Sequence, residues 1–427
     1  MRKILLATAA GFAALVANGA TPTAASAQTQ ATGQTPAPGL TLSTTGRIRF
    51  HGALIGQDGR AADNGRKLSN YDFNTYGRVR FDLSGRSAEG LIYGGRIEAR
   101  IAPQVEAPTG NANVFLRVVN GFVGTPTLGQ IRFGSNGVLA VPQMFVGHIM
   151  GTIGTGLWDG DAGDYFFLGQ GGIVPSSFWY SASGNVNRAT GIGYYSPQFF
   201  GFDFGISYAA NESAFLGGCN AATATFLSCD RAATVDATSA RKFRNIIDVM
   251  LRYRGTFSGV GIAASGGLRT ADTTNTIPGV ARGKDPTVGI VGAEVTFAGF
   301  TVGGITTFGS ANRGFANGAS LLPKTGAGLD SGLFSWQLGA RYSFGAFTVG
   351  AAYHELRSEG SVTNANNLRE KGFGIGGSYA LGPGLALFAE YLYGTAKESG
   401  RDLNALRAGT QDSFKSQLFL LGLGMGF

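Results

Sequence analysis

The stretch Leu40-Thr-Leu-Ser-Thr-Thr-Gly-Arg-Ile-Arg-Phe-His-Gly-Ala-Leu54 alternates between two kinds of side chain. The first set is apolar or small and comprises Leu42, Thr44, Gly46, Ile48, Phe50, Gly52 and Leu54. The second set is polar and comprises Ser43, Thr45, Arg47, Arg49 and His51. Because successive side chains of a β-strand point to opposite faces, this period of two predicts a strand with one apolar and one polar face.

The same alternation returns in later segments. Three polar faces that oppose apolar ones comprise Arg78, Arg80 and Asp82, then Arg96, Glu98 and Arg100, then Arg244, Asp248, Arg252 and Arg254. The breaks between segments are short and long by turns. Short breaks lie near 84–87, 125–127, 196–198, 255–258, 298–299, 345 and 382–384. Long breaks lie near 57–70, 102–111, 135–187, 211–240, 269–285, 310–331, 357–368 and 396–414.

The strands of a soluble β-sandwich would also alternate apolar and polar side chains. The pattern of short and long breaks favours a membrane barrel instead. Outer-membrane barrels have tight periplasmic turns, longer external loops and an even number of antiparallel strands. We predict an all-β transmembrane barrel of about 16 strands over residues 40–427. The last strand ends on Phe427 and has to pair with the first strand, because an open edge is not tolerated in lipid.

The N-terminus predicts export. A basic start, an apolar run and the small-x-small sequence at 25–27 are typical of a signal peptide, here residues 1–27. Residues 28–39 are rich in Thr, Gln and Pro, and we predict a disordered lead-in there. The formal net charge of +8 falls by two when Arg2 and Lys3 are removed, and the chain has no basic run of the nucleic-acid kind.

Residues 135–187 form the longest break. A loop of this length in a compact domain is usually functional or disordered. This one is too apolar for a solvated linker, and it holds Asp159, Asp161 and Asp164 close together. The three carboxylates could bind Ca²⁺, although their spacing is not that of an EF-hand. We therefore expect the stretch to fold into the barrel and narrow its pore.

The chain resembles the general diffusion porins of Gram-negative bacteria, nearest their alpha- and beta-proteobacterial branch. The resemblance rests on Arg188-Ala-Thr-Gly-Ile-Gly-Tyr-Tyr-Ser-Pro197, followed by Phe200-Gly-Phe202 and Tyr208. It implies sixteen strands, a homotrimer and a third external loop folded into the lumen. It also implies a multi-pass protein of the outer membrane, in contact with lipids and lipopolysaccharide, whose terminal Phe427 is the signal for the assembly machinery.

The expected mechanism is passive diffusion of ions and small hydrophilic solutes, since opposed charges in a narrow pore favour polar solutes. The candidate acids are Asp159, Asp161 and Asp164. The candidate bases are Arg47, Arg49, Arg78, Arg80, Arg96, Arg100, Arg117 and Arg132. Alternatively, these arginines only solvate the lumen or hold the loop. A solute-specific channel, selective for sugars or anions, is a second hypothesis.

A barrel enzyme is a hypothesis of another class. The chain has three histidines, His51, His148 and His354, and no Gly-x-Ser-x-Gly elbow accompanies them. We therefore expect neither catalysis nor a cofactor. Cys219 and Cys229 lie in one long break, and in an exported chain this pair predicts a disulfide that closes a small external loop.

Overall fold

The structure of the protein is a computed structural model. In the described part of the chain, sixteen antiparallel strands close into one ring. The structure describes residues 39–57, 69–102, 113–149, 189–211, 241–275, 285–310, 332–358, 367–400 and 412–427. The expected signal peptide, most of the lead-in, the three aspartates of the long loop and both cysteines lie outside these ranges. No helix within the ranges is long and apolar enough to cross a membrane.

The strands follow one another around the ring in chain order. The first eight are β1 (Gly39–Gln57), β2 (Tyr71–Arg86), β3 (Ile92–Ala102), β4 (Asn113–Thr125), β5 (Gly129–Ser135), β6 (Thr190–Tyr195), β7 (Phe202–Asn211) and β8 (Arg241–Phe257). The others are β9 (Val260–Asn275), β10 (Thr287–Phe297), β11 (Phe300–Ser310), β12 (Gly332–Phe344), β13 (Phe347–Ser358), β14 (Leu368–Gly382), β15 (Leu385–Lys397) and β16 (Ser413–Gly426). One short helix, α1 (Ala140–Met144), follows β5.

The ring closes where β16 pairs with β1, as the sequence predicted. At the end of this seam the Gly46 amide donates to the Phe427 carbonyl oxygen at 2.7 Å, and the Phe427 amide donates to the Gly46 carbonyl oxygen at 3.1 Å. The Phe427 ring lies over Gly46, where any Cβ atom would overlap it. The last residue is therefore part of the closing pair, and its ring packs on the glycine opposite it.

The alternation of β1 has the orientation that the sequence predicted. Ile48 and Phe50 are 44% and 50% exposed on the outer face, whereas Arg49 and His51 are 8% and 1% exposed on the inner face. This arrangement suits a barrel in lipid, because apolar side chains meet the hydrocarbon and charged ones point to the lumen.

Arg244 is an exception to the predicted faces. The β8–β9 register shifts between Arg244 and Ile247, so two residues of β8 oppose one residue of β9. Asn245 in this bulge has a φ of 50°. Phe243 is buried and Arg244 is exposed beside Asp272, so the prediction of Arg244 on the inner face was wrong. A bulge reverses the side on which a residue falls, and alternation alone does not reveal it.

Short and long connections alternate as expected. The short ones are residues 87–91, 126–128, 196–201, 258–259, 298–299, 345–346 and 383–384. Beside two of these turns, aromatic rings pack on the outer face: Phe300 and Tyr342 stack at 4.0 Å, and Phe344 and Phe347 at 5.0 Å. Aromatic belts of this kind mark the membrane–water interface of a barrel.

Candidate functional site

Residues 136–149, here named the lumen segment, leave β5 and run along the inner wall of the barrel. The Tyr195 hydroxyl on β6 donates to the Val138 carbonyl oxygen at 2.6 Å, and Ile149 lies against Gly339 on β12. The described part of the third long connection therefore folds inward, as the resemblance implied. Helix α1 forms its middle and buries Ala140, Val141 and Met144.

Four neighbouring strands each provide one acceptor for a backbone amide of the lumen segment. The bonds are Ala140 to Ser207 Oγ at 2.8 Å, Val141 to Asp248 Oδ2 at 2.9 Å, Val146 to Ser265 Oγ at 3.0 Å and Gly147 to Glu294 Oε2 at 3.2 Å. The first amides of a helix have no partner within the helix. Here β7 and β8 satisfy them, which fixes the position of α1 on the wall.

A fully buried ion pair lies beneath the segment. Arg269 on β9 donates from Nε to Asp248 Oδ1 at 2.6 Å and from a terminal nitrogen to Asp248 Oδ2 at 2.8 Å. Both side chains are 0% exposed. Burying two charges is costly unless their geometry is good and the remaining oxygens are satisfied. The bidentate pair and the Val141 amide meet this condition. The segment therefore helps to stabilise the buried pair in the wall, and the pair helps to hold the segment in place.

Apolar contacts also hold the segment against the wall. Leu139, Met144 and Ile149 are among the largest fully buried side chains in the described residues. Complete burial of such a side chain contributes about 1.5–3 kcal/mol. The wall accommodates them with small residues: a Cβ atom on Gly205 would lie 2.5 Å from Met144 Sδ. Gly147 has a φ of +89°, which turns the chain against β11.

A test of the inward fold is a cross-link between the segment and β12. A Cβ atom on Gly339 would lie 2.7 Å from Ile149 Cβ, so cysteines at both positions are close enough to bond after a small shift. In a background without the native cysteines, Ile149→Cys/Gly339→Cys is expected to lose maleimide labelling on oxidation. Ile149→Cys/Gly376→Cys is the control, because Gly376 on β14 contacts β15 instead of the segment. Equal labelling of both pairs would contradict the described path.

The predicted bases form an inner wall on β1–β5. Three of them surround one buried carboxylate: Arg80 lies 2.8 Å from Glu98 Oε2, Arg78 lies 3.9 Å from the same oxygen, and Arg100 lies 3.5 Å from Oε1. On the same two strands, Arg96 pairs with Asp82 at 2.5 Å. Since each carboxylate carries one charge, the four arginines leave net positive charge on this part of the wall.

The other four predicted bases also lie on the inner side. Arg47 and Arg49 stand 5.2 Å and 5.6 Å from the centre of the Tyr76 ring, and Arg47 also donates to the Tyr76 hydroxyl. Arg132 stands 4.5 Å from the centre of the Tyr195 ring. Arg117 is the extra residue of a bulge on β4 and is 5% exposed. Aromatic faces attract guanidinium groups and hold them in place.

The two sets of residues lie on opposite sides of the barrel. The lumen segment covers the wall from β6 to β12, and the arginine wall occupies β1–β5. In a ring of sixteen strands β2 and β10 are half a circumference apart. Among the described residues, arginines therefore line one side of the barrel interior and the lumen segment lines the other.

Several residues of this site were given no role from the sequence, although Arg252 and Arg254 were assigned to a polar face. Ser207, Ser265, Glu294 and Arg269 hold the segment, and Arg252 and Arg254 pair with Asp203 at 2.5 Å and 3.1 Å on the inner wall. Their position on polar faces of alternating strands was the available signal. Within the described ranges no group of His, Cys, Asp and Glu could hold a metal ion, and the candidate calcium residues lie outside those ranges.

The barrel with an inward segment and a charged lumen defines a class, the channel-forming barrels of the bacterial outer membrane. The family model of the Gram-negative porins matches residues 10–399 of this chain. The chain therefore belongs to the Gram-negative porin family. No curated protein sequence matches it.

Solved structures agree on the fold. The anion-selective porin from Comamonas acidovorans is 17% identical, with a TM-score of 0.58 over 91% of this chain and 100% of its own. The outer membrane channel DcaP of Acinetobacter baumannii is 12% identical, with a TM-score of 0.57 over 91% and 98%. A variant of the Rhodobacter blastica porin is 16% identical, with a TM-score of 0.51 over 91% and 100%.

Family and fold together identify a multi-pass protein of the Gram-negative outer membrane. It is a channel for passive diffusion and not an enzyme. His51 and His354 are 1% and 0% exposed in the wall, and His148 packs near Phe145 at 6.0 Å between ring centres.

Proposed function

We propose that the chain is a general diffusion pore for ions and small hydrophilic solutes, and that its narrowest part favours anions. The observation that carries this proposal is the arginine wall on β1–β5 opposite the lumen segment. Three arginines share the single carboxylate of Glu98, so their combined charge is only partly neutralised.

The physical reason is the poor screening of fixed charges in a narrow pore. Low-dielectric walls focus the field of lined-up charges and raise the local concentration of the opposite ion. Asp159, Asp161 and Asp164 are proposed to provide the opposing acids, which would leave a transverse field across the constriction. Such a field favours the passage of polar solutes over apolar ones, in addition to the selection by solute size that a narrow pore imposes.

A solute-specific channel for anions is the second candidate, and the same arginine wall favours it. A structural neighbour is described as an anion-selective porin, which agrees with either form of the proposal. The two candidates differ in whether the conductance saturates as the solute concentration rises. A diffusion pore shows conductance proportional to salt, whereas a specific channel shows saturation and competition between solutes.

The test is conductance of the purified protein in planar bilayers under a KCl gradient. We expect large ohmic steps and a zero-current potential whose sign reports chloride as the more permeant ion. Chloride conductance that saturates with concentration would select the specific channel. A potential of the opposite sign would refute the anion preference, and absence of conductance would refute the pore.

Three further features belong to this proposal. A homotrimer is supported by a neighbour described in its trimer form, and a band that resists dodecyl sulfate until heated would test it. Phe427 is proposed as the assembly signal, which its place in the closing pair with Gly46 supports. A disulfide between Cys219 and Cys229 stays a prediction from their spacing in an exported chain.

A further inference from the structure

A second group of arginines lies on the inner wall, close to the short connections of the barrel. Arg132 lies near the start of β5 and Arg96 near the start of β3, whereas Arg252 and Arg254 lie near the end of β8. Arg132 is close enough to Arg96 and Arg252 for their charges to interact. Tight turns of outer-membrane barrels lie on the periplasmic side. We name these four residues the lower arginine cluster.

The cluster lies on the periplasmic side of the lumen segment. On β7 and β8 the segment binds Ser207 and Asp248. The pair of Asp203 and Arg252 lies on the same two strands, four residues nearer to the short connections. Since a strand rises by about 3.3 Å per residue, this pair is about 13 Å further along the wall than the contacts of the segment.

The cluster carries more positive than negative charge. Arg252 donates to Asp203 from Nε at 3.1 Å and from a terminal nitrogen at 2.5 Å. Arg254 donates to the same carboxylate at 3.1 Å, and Arg96 pairs with Asp82 at 2.5 Å. Four guanidinium groups therefore share two carboxylates, which leaves an excess of two positive charges.

Two donors of the cluster have no acceptor. The Arg132 guanidinium is held 4.5 Å from the centre of the Tyr195 ring, and no carboxylate in the described ranges pairs with it. Among the described residues, Arg132 Nε and Arg254 Nε are buried without a hydrogen-bond partner. Buried polar groups are nearly always hydrogen-bonded, so these two nitrogens mark a place where an acceptor fits.

We propose that the lower arginine cluster is a second anion site of the pore and takes a small oxyanion with two negative charges. The edge of a guanidinium group, formed by Nε and a terminal nitrogen, binds two oxygens of a carboxylate or phosphate. Arg252 uses this edge for Asp203, whereas Nε of Arg132 and Nε of Arg254 remain free. An anion with several oxygens can accept from both arginines and neutralise the excess charge.

This inference rests on the proposed pore, because a solute reaches the cluster only through the lumen. It adds the class of solute that is held after the lumen segment has been passed. The anion preference itself was assigned to Arg78, Arg80 and Arg100 around Glu98, which are not part of the cluster. The two proposals can therefore fail separately.

The experiment measures how inorganic phosphate inhibits the chloride current of the purified protein in planar bilayers, at a pH where phosphate carries two charges. Arg132→Gln/Arg254→Gln is expected to raise the half-inhibiting concentration about tenfold or more, since it removes hydrogen bonds to a charged group. Arg132→Lys/Arg254→Lys keeps the charges but lacks the guanidinium edge, and it should give an intermediate value. Nitrate, which carries one charge, should inhibit the unchanged protein only at much higher concentrations.

The matched control is Arg369→Gln/Lys397→Gln, which removes two charges from exposed positions on the outer face of β14 and β15. It should keep the half-inhibiting concentration of the unchanged protein. No inhibition of the unchanged protein, or one half-inhibiting concentration for it and for both cluster variants, would overturn the proposal. A cation-preferring channel in which phosphate still acts through Arg132 and Arg254 would refute only the anion preference. Heat-modifiable mobility shows that a variant is folded, and the lysine variant provides the test if the glutamine variant does not fold.

Discussion

Replacement of Arg269 with methionine is expected to release the lumen segment from the wall and to destabilise the barrel. The change leaves the Asp248 carboxylate at 0% exposure without its bidentate partner. Removing one member of a buried ion pair costs about 3–5 kcal/mol. Since the same carboxylate accepts the Val141 amide, its rehydration would also loosen α1. Urea unfolding should show the loss of stability, and planar bilayers should show higher and noisier conductance.

Two variants separate this effect from a general loss of packing. Arg269→Met/Asp248→Asn removes both charges and keeps an oxygen for the Val141 amide, so it should recover most of the stability and the quiet conductance. Arg357→Met breaks a pair on the outer face, where the arginine side chain is 53% exposed, and should cost no more than about 1 kcal/mol. Stability and conductance of Arg269→Met equal to those of the unchanged protein would show that the segment does not depend on this pair.

Neutralisation of Arg78, Arg80 and Arg100 is expected to move the selectivity of the pore toward cations. The three side chains share Glu98, so their loss converts a positive patch into a negative one. A change of about 1 kcal/mol in the potential at the constriction corresponds to about fivefold in the permeability ratio. With Arg78→Gln/Arg80→Gln/Arg100→Gln, the chloride-to-potassium permeability ratio should fall by at least that factor. The ratio is obtained from the zero-current potential under a KCl gradient.

The outer-face variant is the control for net charge. Arg357→Gln/Arg369→Gln/Lys397→Gln removes the same charge from a surface that faces away from the lumen, and it should leave the zero-current potential nearly unchanged. High salt should reduce the shift seen with the inner-wall variant, because mobile ions screen the remaining charges. A shift of equal size in both variants would mean that the arginine wall does not line the narrow part of the path.

The fold could be predicted because its signal is local. In β1 the side chains of Ile48 and Phe50 were assigned to one face and those of Arg49 and His51 to the other, and the structure keeps that division. A pleated strand imposes this alternation on each segment separately, without reference to distant residues. Turn residues between the segments predicted the alternation of short and long connections, because they too can be recognised in each stretch separately.

The site was only partly predictable. Six of the eight arginines, those on β1–β3, could be assigned because their positions follow the strand period. The role of Glu98 could not, since it depends on which residue of β2 stands opposite which residue of β3. Bulges are the clearest failures of local reasoning: one sends Arg244 to the outer face, and another buries Arg117.

The sequence by itself therefore determined the barrel, its alternating faces, its closing strand and the inner-face positions of the arginines on β1–β3. The tertiary structure alone decided the path of the lumen segment and the buried pair that holds it. Val141 meets Asp248 across a separation of 107 residues, and Gly147 meets Glu294 across 147. Contacts of that kind exist only once the ring has closed and its register is set. No periodicity within a single segment carries that information, because the partners belong to strands that the chain reaches much later.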